Sequence, residues 1–155
     1  MDGSKKVIQA LNLQLITELS TADQYMMHAH LCKDWGLNAL FTHMEHERGE
    51  EILHAQMLAD RILFLNGTPD TAARVAINCG ADVKSMLEND LQAEYDVAAM
   101  LKKAIVICES EHDFVSRDLL LKLLDDTESD HAHWLEQQLN LINLMGIQNY
   151  LQSQM

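Results

Sequence analysis

Two short stretches, Glu51-Ile52-Leu53-His54 and Glu128-Ser129-Asp130-His131, each place a carboxylate and an imidazole three residues apart. On an α-helix that spacing puts both groups on one face. Two more acids lie at matching distances upstream: Glu18 precedes Glu51 by 33 positions, and Glu94 precedes Glu128 by 34. The set therefore reads as one Glu followed by Glu-x-x-His, given twice. Carboxylate oxygens with one imidazole per ion suit iron or manganese better than the thiolate-rich sites of structural zinc, and Ca²⁺ and Mg²⁺ rarely take histidine. Hard oxygen ligands also favour the ferric state, so oxidation of Fe²⁺ by dioxygen or peroxide is the chemistry such a pair of sites invites. A third Glu-x-x-His, Glu109 to His112, has no upstream mate and sits where a helix ends, so it is assigned to the surface.

The elements that must position these groups follow from apolar spacing. Ile8, Leu11, Leu15, Ala22, Met26 and Ala29 recur every three or four residues and predict a helix over about 5–34. Leu40, Met44, Leu58, Ile62 and Leu65 predict a second over 38–65, closed by the Asn66-Gly67-Thr68-Pro69-Asp70 turn. A connection of about fifteen residues leads to a third helix, 82–110, through Val83, Leu87, Leu91, Ala98, Leu101 and Ile105. The fourth, 113–144, uses Leu121, Leu124, Leu135, Leu139 and Ile142, and a short fifth is expected over 147–154. Short links within each pair and a long link between the pairs predict a single all-α domain over 1–155: a four-helix bundle with a crossover between helices 2 and 3. Glu18, Glu51, His54, Glu94, Glu128 and His131 fall on the apolar stripes and are all expected to point into the core. Buried unpaired carboxylates cost several kcal/mol each, and no basic residue shares their stripes, so cations are the expected compensation. His30, His43 and His133 are expected to be structural or exposed.

Composition narrows the function classes. A net charge of −13 disfavours nucleic acid and anionic membrane as partners and favours cations. No apolar run is long enough to span a bilayer, and the first residues hold no hydrophobic signal core, so a cytoplasmic location is expected. Cys32, Cys79 and Cys108 form no Cys-x-x-Cys pair and are expected to be reduced.

Both Glu-x-x-His elements, together with Asp34-Trp35-Gly36-Leu37-Asn38-Ala39-Leu40, the stretches RILFLNGTP (61–69) and HDFVSRDLL (112–120), and the terminal NYLQSQM, resemble the bacterioferritins over essentially the whole chain. Ligands of this kind are the general recipe of ferritin-like carboxylate bundles. The resemblance implies an iron-storage protein with a ferroxidase centre of Glu18, Glu51, His54, Glu94, Glu128 and His131, and with Tyr25 beside it. It implies a weaker inner-surface iron site at His46 and Glu50. It further implies a hollow shell of about 24 subunits with octahedral symmetry, a terminal helix near the four-fold axes presenting Asn149 and Gln152, and a ferredoxin-type reductant for iron release. Bacterioferritins hold haem with a methionine from each of two subunits, in a stretch that usually reads Glu-Met-Lys-His. Here the stretch contains Ile52, which cannot ligate iron, and Gly49 lies nearby. Haem b is therefore not expected through this chain, which implies either a haem-free homopolymer or co-assembly with a second, haem-binding subunit. Met26 and Met44 are the other methionines considered, and both are expected to be core filler. Two alternatives stay open: a di-iron oxidase or peroxidase acting on another substrate, and a metal-free cytokine-like bundle.

Overall fold

The computed structural model describes residues 1–155. Helix α1 spans Lys5–Asp34 and starts at Ser4, whose hydroxyl accepts from Lys6 N at 3.2 Å. Trp35, Gly36 and Leu37 turn the chain, with Gly36 at φ +79°, and α2 follows over Asn38–Phe64. Helix α3, Val83–Ser110, opens with a capping box in which Asp82 and Ser85 exchange side-chain and backbone bonds. The fourth rod is α4 (Phe114–Asp125), a π-helical segment (Asp126–Ala132) and α5 (His133–Met145). Helix α6, Ile147–Ser153, docks by burying Tyr150, whose hydroxyl donates to Gln138 Oε1 at 2.8 Å. The result is the expected four-helix bundle with a short terminal helix, and no helix is long and apolar enough to cross a membrane.

The core divides into two apolar clusters. One holds Leu11, Leu15, Leu58, Ile62, Leu101, Leu120 and Leu123; the other holds Tyr25, Leu40, Met44, Leu87, Leu135 and Ile142. On every rod the switch from one cluster to the other leaves a gap filled by polar residues: Glu18 on α1, Glu47, Glu51 and His54 on α2, Asp90 and Glu94 on α3, and Thr127 and His131 in the π segment. The bundle thus encloses a polar layer between two dry ends, where water cannot replace missing hydrogen-bond partners.

The crossover runs along α1 and is pinned by polar side chains. Asn12 bonds Thr68 O and Asp70 N, Ser20 accepts from Val75 N at 2.9 Å, Gln24 from Asn78 N at 3.0 Å, and His28 from Gly80 N at 3.0 Å. These bonds supply partners that a long connection lacks on its own. Gly80 is required there, because a Cβ would lie 2.4 Å from Met86 N.

Two stripe assignments differ from expectation. Met26 and Leu121 are 45% and 44% exposed. On α1 the inward positions after Ala22 are Tyr25 and Ala29, and on α4 they are Leu120 and Leu123, so each of the two side chains lies one residue, roughly 100° of rotation, off the buried face.

Candidate metal centre

Glu18, Glu51, His54, Glu94 and His131 lie within the polar layer and are buried. His54 Nδ1 is 3.7 Å from Glu18 Oε2 and 3.6 Å from Glu51 Oε2. His131 Nδ1 is 2.8 Å from Glu51 Oε1 and 3.4 Å from Glu94 Oε1. The two imidazoles stack at 5.7 Å between centroids, 15° from parallel. The ligand atoms form two trios, Glu18–Glu51–His54 and Glu51–Glu94–His131, each within 4.8 Å, and Glu51 belongs to both.

Neighbouring side chains orient these groups. Gln14 donates to Glu18 Oε1 at 2.8 Å, and Tyr25 donates to Glu94 Oε1 at 2.5 Å. Asp126 Oδ2 meets His54 Nε2 at 3.2 Å and leaves Nδ1 facing the carboxylates, the carboxylate–histidine arrangement that sets a ligand's tautomer. One oxygen each of Glu18, Glu51 and Glu94, and Nδ1 of His54, have no hydrogen-bond partner despite their burial. Buried lone pairs converging from three helices fit a cation bound by O and N donors.

The electrostatics agree with the geometry. Burial, together with the charges of Glu18 and Glu94, pushes the Glu51 carboxyl well above the usual range. For Glu18 burial also pushes upward, but bonding to Glu51 and His54 outweighs it and holds the group below its ordinary value. Burial lowers His54, yet the Glu18 and Glu51 carboxylates more than offset this and bring it up to about 10. For Tyr25, burial followed by the charge of Glu94 raises the phenol, which remains a donor.

Glu128 departs from the expectation. Its side chain is 46% exposed and pairs with Lys102, 2.6 Å from Nζ. In the π segment Thr127 takes the inward position after Leu123, and a residue one step on is rotated roughly a quarter-turn away. Glu128 instead borders a surface depression of about 440 Å³ with Tyr95, Ala98, Lys102, Ala132 and Glu136. Glu47 is the inward acid that sequence inspection overlooked; it is 2% exposed, with Oε2 3.0 Å from His131 Nε2. Burial pushes its carboxyl up, but the adjoining His131 and His43 hold it down at about 2. Its signal was present: Glu47 lies four residues before Glu51 and three after Met44, on the same stripe.

The profile of the ferritin-like domain matches residues 8–145. Along its entire length the chain is 50% identical to proteins named bacterial ferritin from Synechocystis, covering 99% of that protein, and from Neisseria meningitidis serogroup A, covering all of it. It is also 40% identical over 150 residues to a bacterioferritin from Brucella melitensis, 97% of this chain and 92% of that one. The chain belongs to the bacterial ferritin and bacterioferritin family. Within this ferritin fold His46 and Glu50 face each other one turn apart on α2, with Nε2 to Oε1 at 3.9 Å, and His46 is largely exposed. Ile52 is partly buried and Leu53 exposed, and no side chain lies within 4 Å of where a Cβ on Gly49 would stand. His30 and His133 are exposed, and Glu109 pairs with Arg117 at the surface.

Proposed function

We propose that this ferritin oxidises Fe²⁺ at the Glu51-centred pair of sites inside each subunit and deposits the ferric product as mineral within a shell of about 24 copies. The observation that carries the proposal is the sharing of Glu51 between two carboxylate–imidazole trios whose remaining oxygens are unpartnered. Kinship with bacterial ferritins supports iron as the cargo. Two substrate Fe²⁺ ions bind side by side: Glu18 and His54 hold one, Glu94 and His131 the other, and Glu51 spans them. Each ion gives up one electron, and the two electrons with two protons from solvent reduce dioxygen to hydrogen peroxide or hydrogen peroxide to water, while the carboxylates stabilise the higher charge of the ferric product. Glu128 completes the second site by rotating inward from Lys102, a side-chain movement of its partly exposed arm. Tyr25, held against Glu94, fixes that carboxylate's orientation and stands close enough to serve in redox chemistry. His46 and Glu50 then take iron at the inner surface, and a ferredoxin-type protein supplies electrons for its release in the cytoplasm.

Ile52 supports a subunit that brings no haem ligand of its own, whether the shell is a homopolymer or shared with a haem-binding subunit. Ile52→Met is expected to increase haem binding; an unchanged visible spectrum after reconstitution would remove position 52 from the haem account.

The deciding experiment adds Fe²⁺ anaerobically to the purified protein, admits air, and follows the same sample by sizing and visible absorption. Fast oxidation with iron retained in a large particle is the expected result. Oxidation without retention would instead favour an oxidase acting on another substrate, and no oxidation would overturn the proposal.

A further inference from the structure

We propose that Glu47, Asp130 and Nε2 of His131 form a third cation site beside the pair. It depends on the paired-site reading only in sharing His131. Ligand atoms of these three residues lie within 4.8 Å of one another. An acidic cluster alone would carry little, but Glu47 is 2% exposed and neither of its oxygens receives a hydrogen bond. Oε2 stands 3.0 Å from His131 Nε2 and Oε1 3.0 Å from His43 Nε2, yet both nitrogens lie outside hydrogen-bond geometry and are themselves unpartnered. The two imidazoles supply charge to this carboxylate but no aligned hydrogen bond, so its buried oxygens keep lone pairs open to a ligand. His43 is held flat against Trp134, with centroids 3.6 Å apart, which keeps its ring beside Glu47. Asp130 is exposed and opens the cluster to solvent.

The donor set of two carboxylates and one imidazole takes a hard or borderline cation, such as Fe²⁺, Fe³⁺, Mn²⁺ or Zn²⁺. His131 presents Nδ1 to Glu51 and Glu94 and Nε2 to Glu47. A neutral imidazole has a single free lone pair, so His131 serves one side at a time. Glu47 and Asp130 therefore hold a cation beside the pair even while His131 is turned toward Glu51 and Glu94.

The test is anomalous diffraction from crystals of the assembled protein grown with stoichiometric Mn²⁺. A peak bonded to Glu47 and Asp130, lost in Glu47→Gln while the peaks at Glu18, Glu51 and Glu94 persist, is expected. Filled paired sites with nothing at Glu47 would overturn the third site and leave the paired-site reading intact. A peak at Glu47 with the pair empty would do the reverse, and an empty protein would overturn both. Should Glu47→Gln fail to fold, the surface variant Asp130→Asn is expected to weaken Zn²⁺ binding at this site roughly tenfold by calorimetry; unchanged affinity would count against the assignment.

Discussion

One turn apart in the same bundle sit two buried polar clusters with opposite bookkeeping. At the first, Asp90 Oδ1 accepts from Gln24 at 2.8 Å and from His28 at 2.9 Å. Gly80 N donates to His28 Nε2, which places the histidine's proton on Nδ1, facing Asp90. Gln24 in turn accepts from Asn78 N, and a single oxygen, Asp90 Oδ2, is left over. At the second, Glu18, Glu47, Glu51 and Glu94 all keep bare oxygens while His54 and His131 keep bare nitrogens. Both clusters contain buried acid and histidine. The difference is that the first closes on itself and fastens the crossover, whereas the second points unused lone pairs at common points in space. Burial of charge therefore does not distinguish structure from chemistry; the pattern of unsatisfied acceptors does.

The strongest way to break this contrast is Glu94→Ala. A ligand loss is expected to slow initial Fe²⁺ oxidation on the order of 100-fold, at or beyond the upper effect of disturbing residues that merely support ligands, with stability nearly retained because relief of crowding among buried acids offsets the loss of Tyr25's acceptor. Stopped-flow absorbance and urea titration together decide it, and unchanged rates would remove Glu94 from the site. The mirror experiment is His28→Ala, which leaves Gly80 N without an acceptor and Asp90 with Gln24 as its only donor. It is expected to cost about 2–4 kcal/mol in urea unfolding and to change the oxidation rate far less than Glu94→Ala does. The reverse ranking would mean that the closed cluster carries the chemistry.

A smaller effect sharpens the role of Glu128. Lys102→Met removes the cation that holds this acid outward. Tighter Co²⁺ binding by a few fold is expected, read from the metal's visible spectrum; weaker binding would show that Lys102 guides cations rather than restraining Glu128. The smallest concerns a fully structural acid. Asp113 caps α4 through Ser116 and pairs with Arg61 at 2.9 Å, which joins α2 to α4. Burial raises its carboxyl, but the Ser116 bonds and the Arg61 charge outweigh this and hold it below the usual value. A depressed folded-state value means the contribution is present above the ordinary aspartate range and is lost as pH falls through the folded-state value. Asp113→Asn is expected to cost about 1 kcal/mol at neutral pH and to flatten the acid limb of the stability curve. An unaltered acid limb would exclude Asp113 as its source.

Much of the fold was legible because helices announce themselves locally: apolar residues at three- and four-residue intervals, Gly36 and the Asn66–Asp70 turn at the breaks, and a connection long enough for a crossover. Of the six residues expected to point inward, five do so for the same reason, since a helix fixes which face each residue shares with its apolar neighbours. Glu47 was legible too and was passed over, hidden in the acidic run Glu45-His46-Glu47-Arg48-Gly49-Glu50-Glu51. Glu128 was expected to point inward because the stripe was extended through the fourth rod as though it were uninterrupted α-helix.

The sequence by itself determined the rods, the two hairpins and the placement of Glu18, Glu51, His54, Glu94 and His131 on inward faces, all consequences of spacing along one chain. Tertiary structure alone decided what those faces meet. It brought Glu51 between Glu18 and Glu94, set Asp126 behind His54, and closed His28 and Asp90 into a fastener for the crossover. It also inserted the π segment that buries Thr127 and turns Glu128 toward Lys102. The physical reason is that helical phase is set by neighbours three and four residues away. Hydrogen-bond satisfaction and charge are set instead by whichever side chains the packing brings together from distant parts of the chain, as between Tyr25 and Glu94 at a separation of 69.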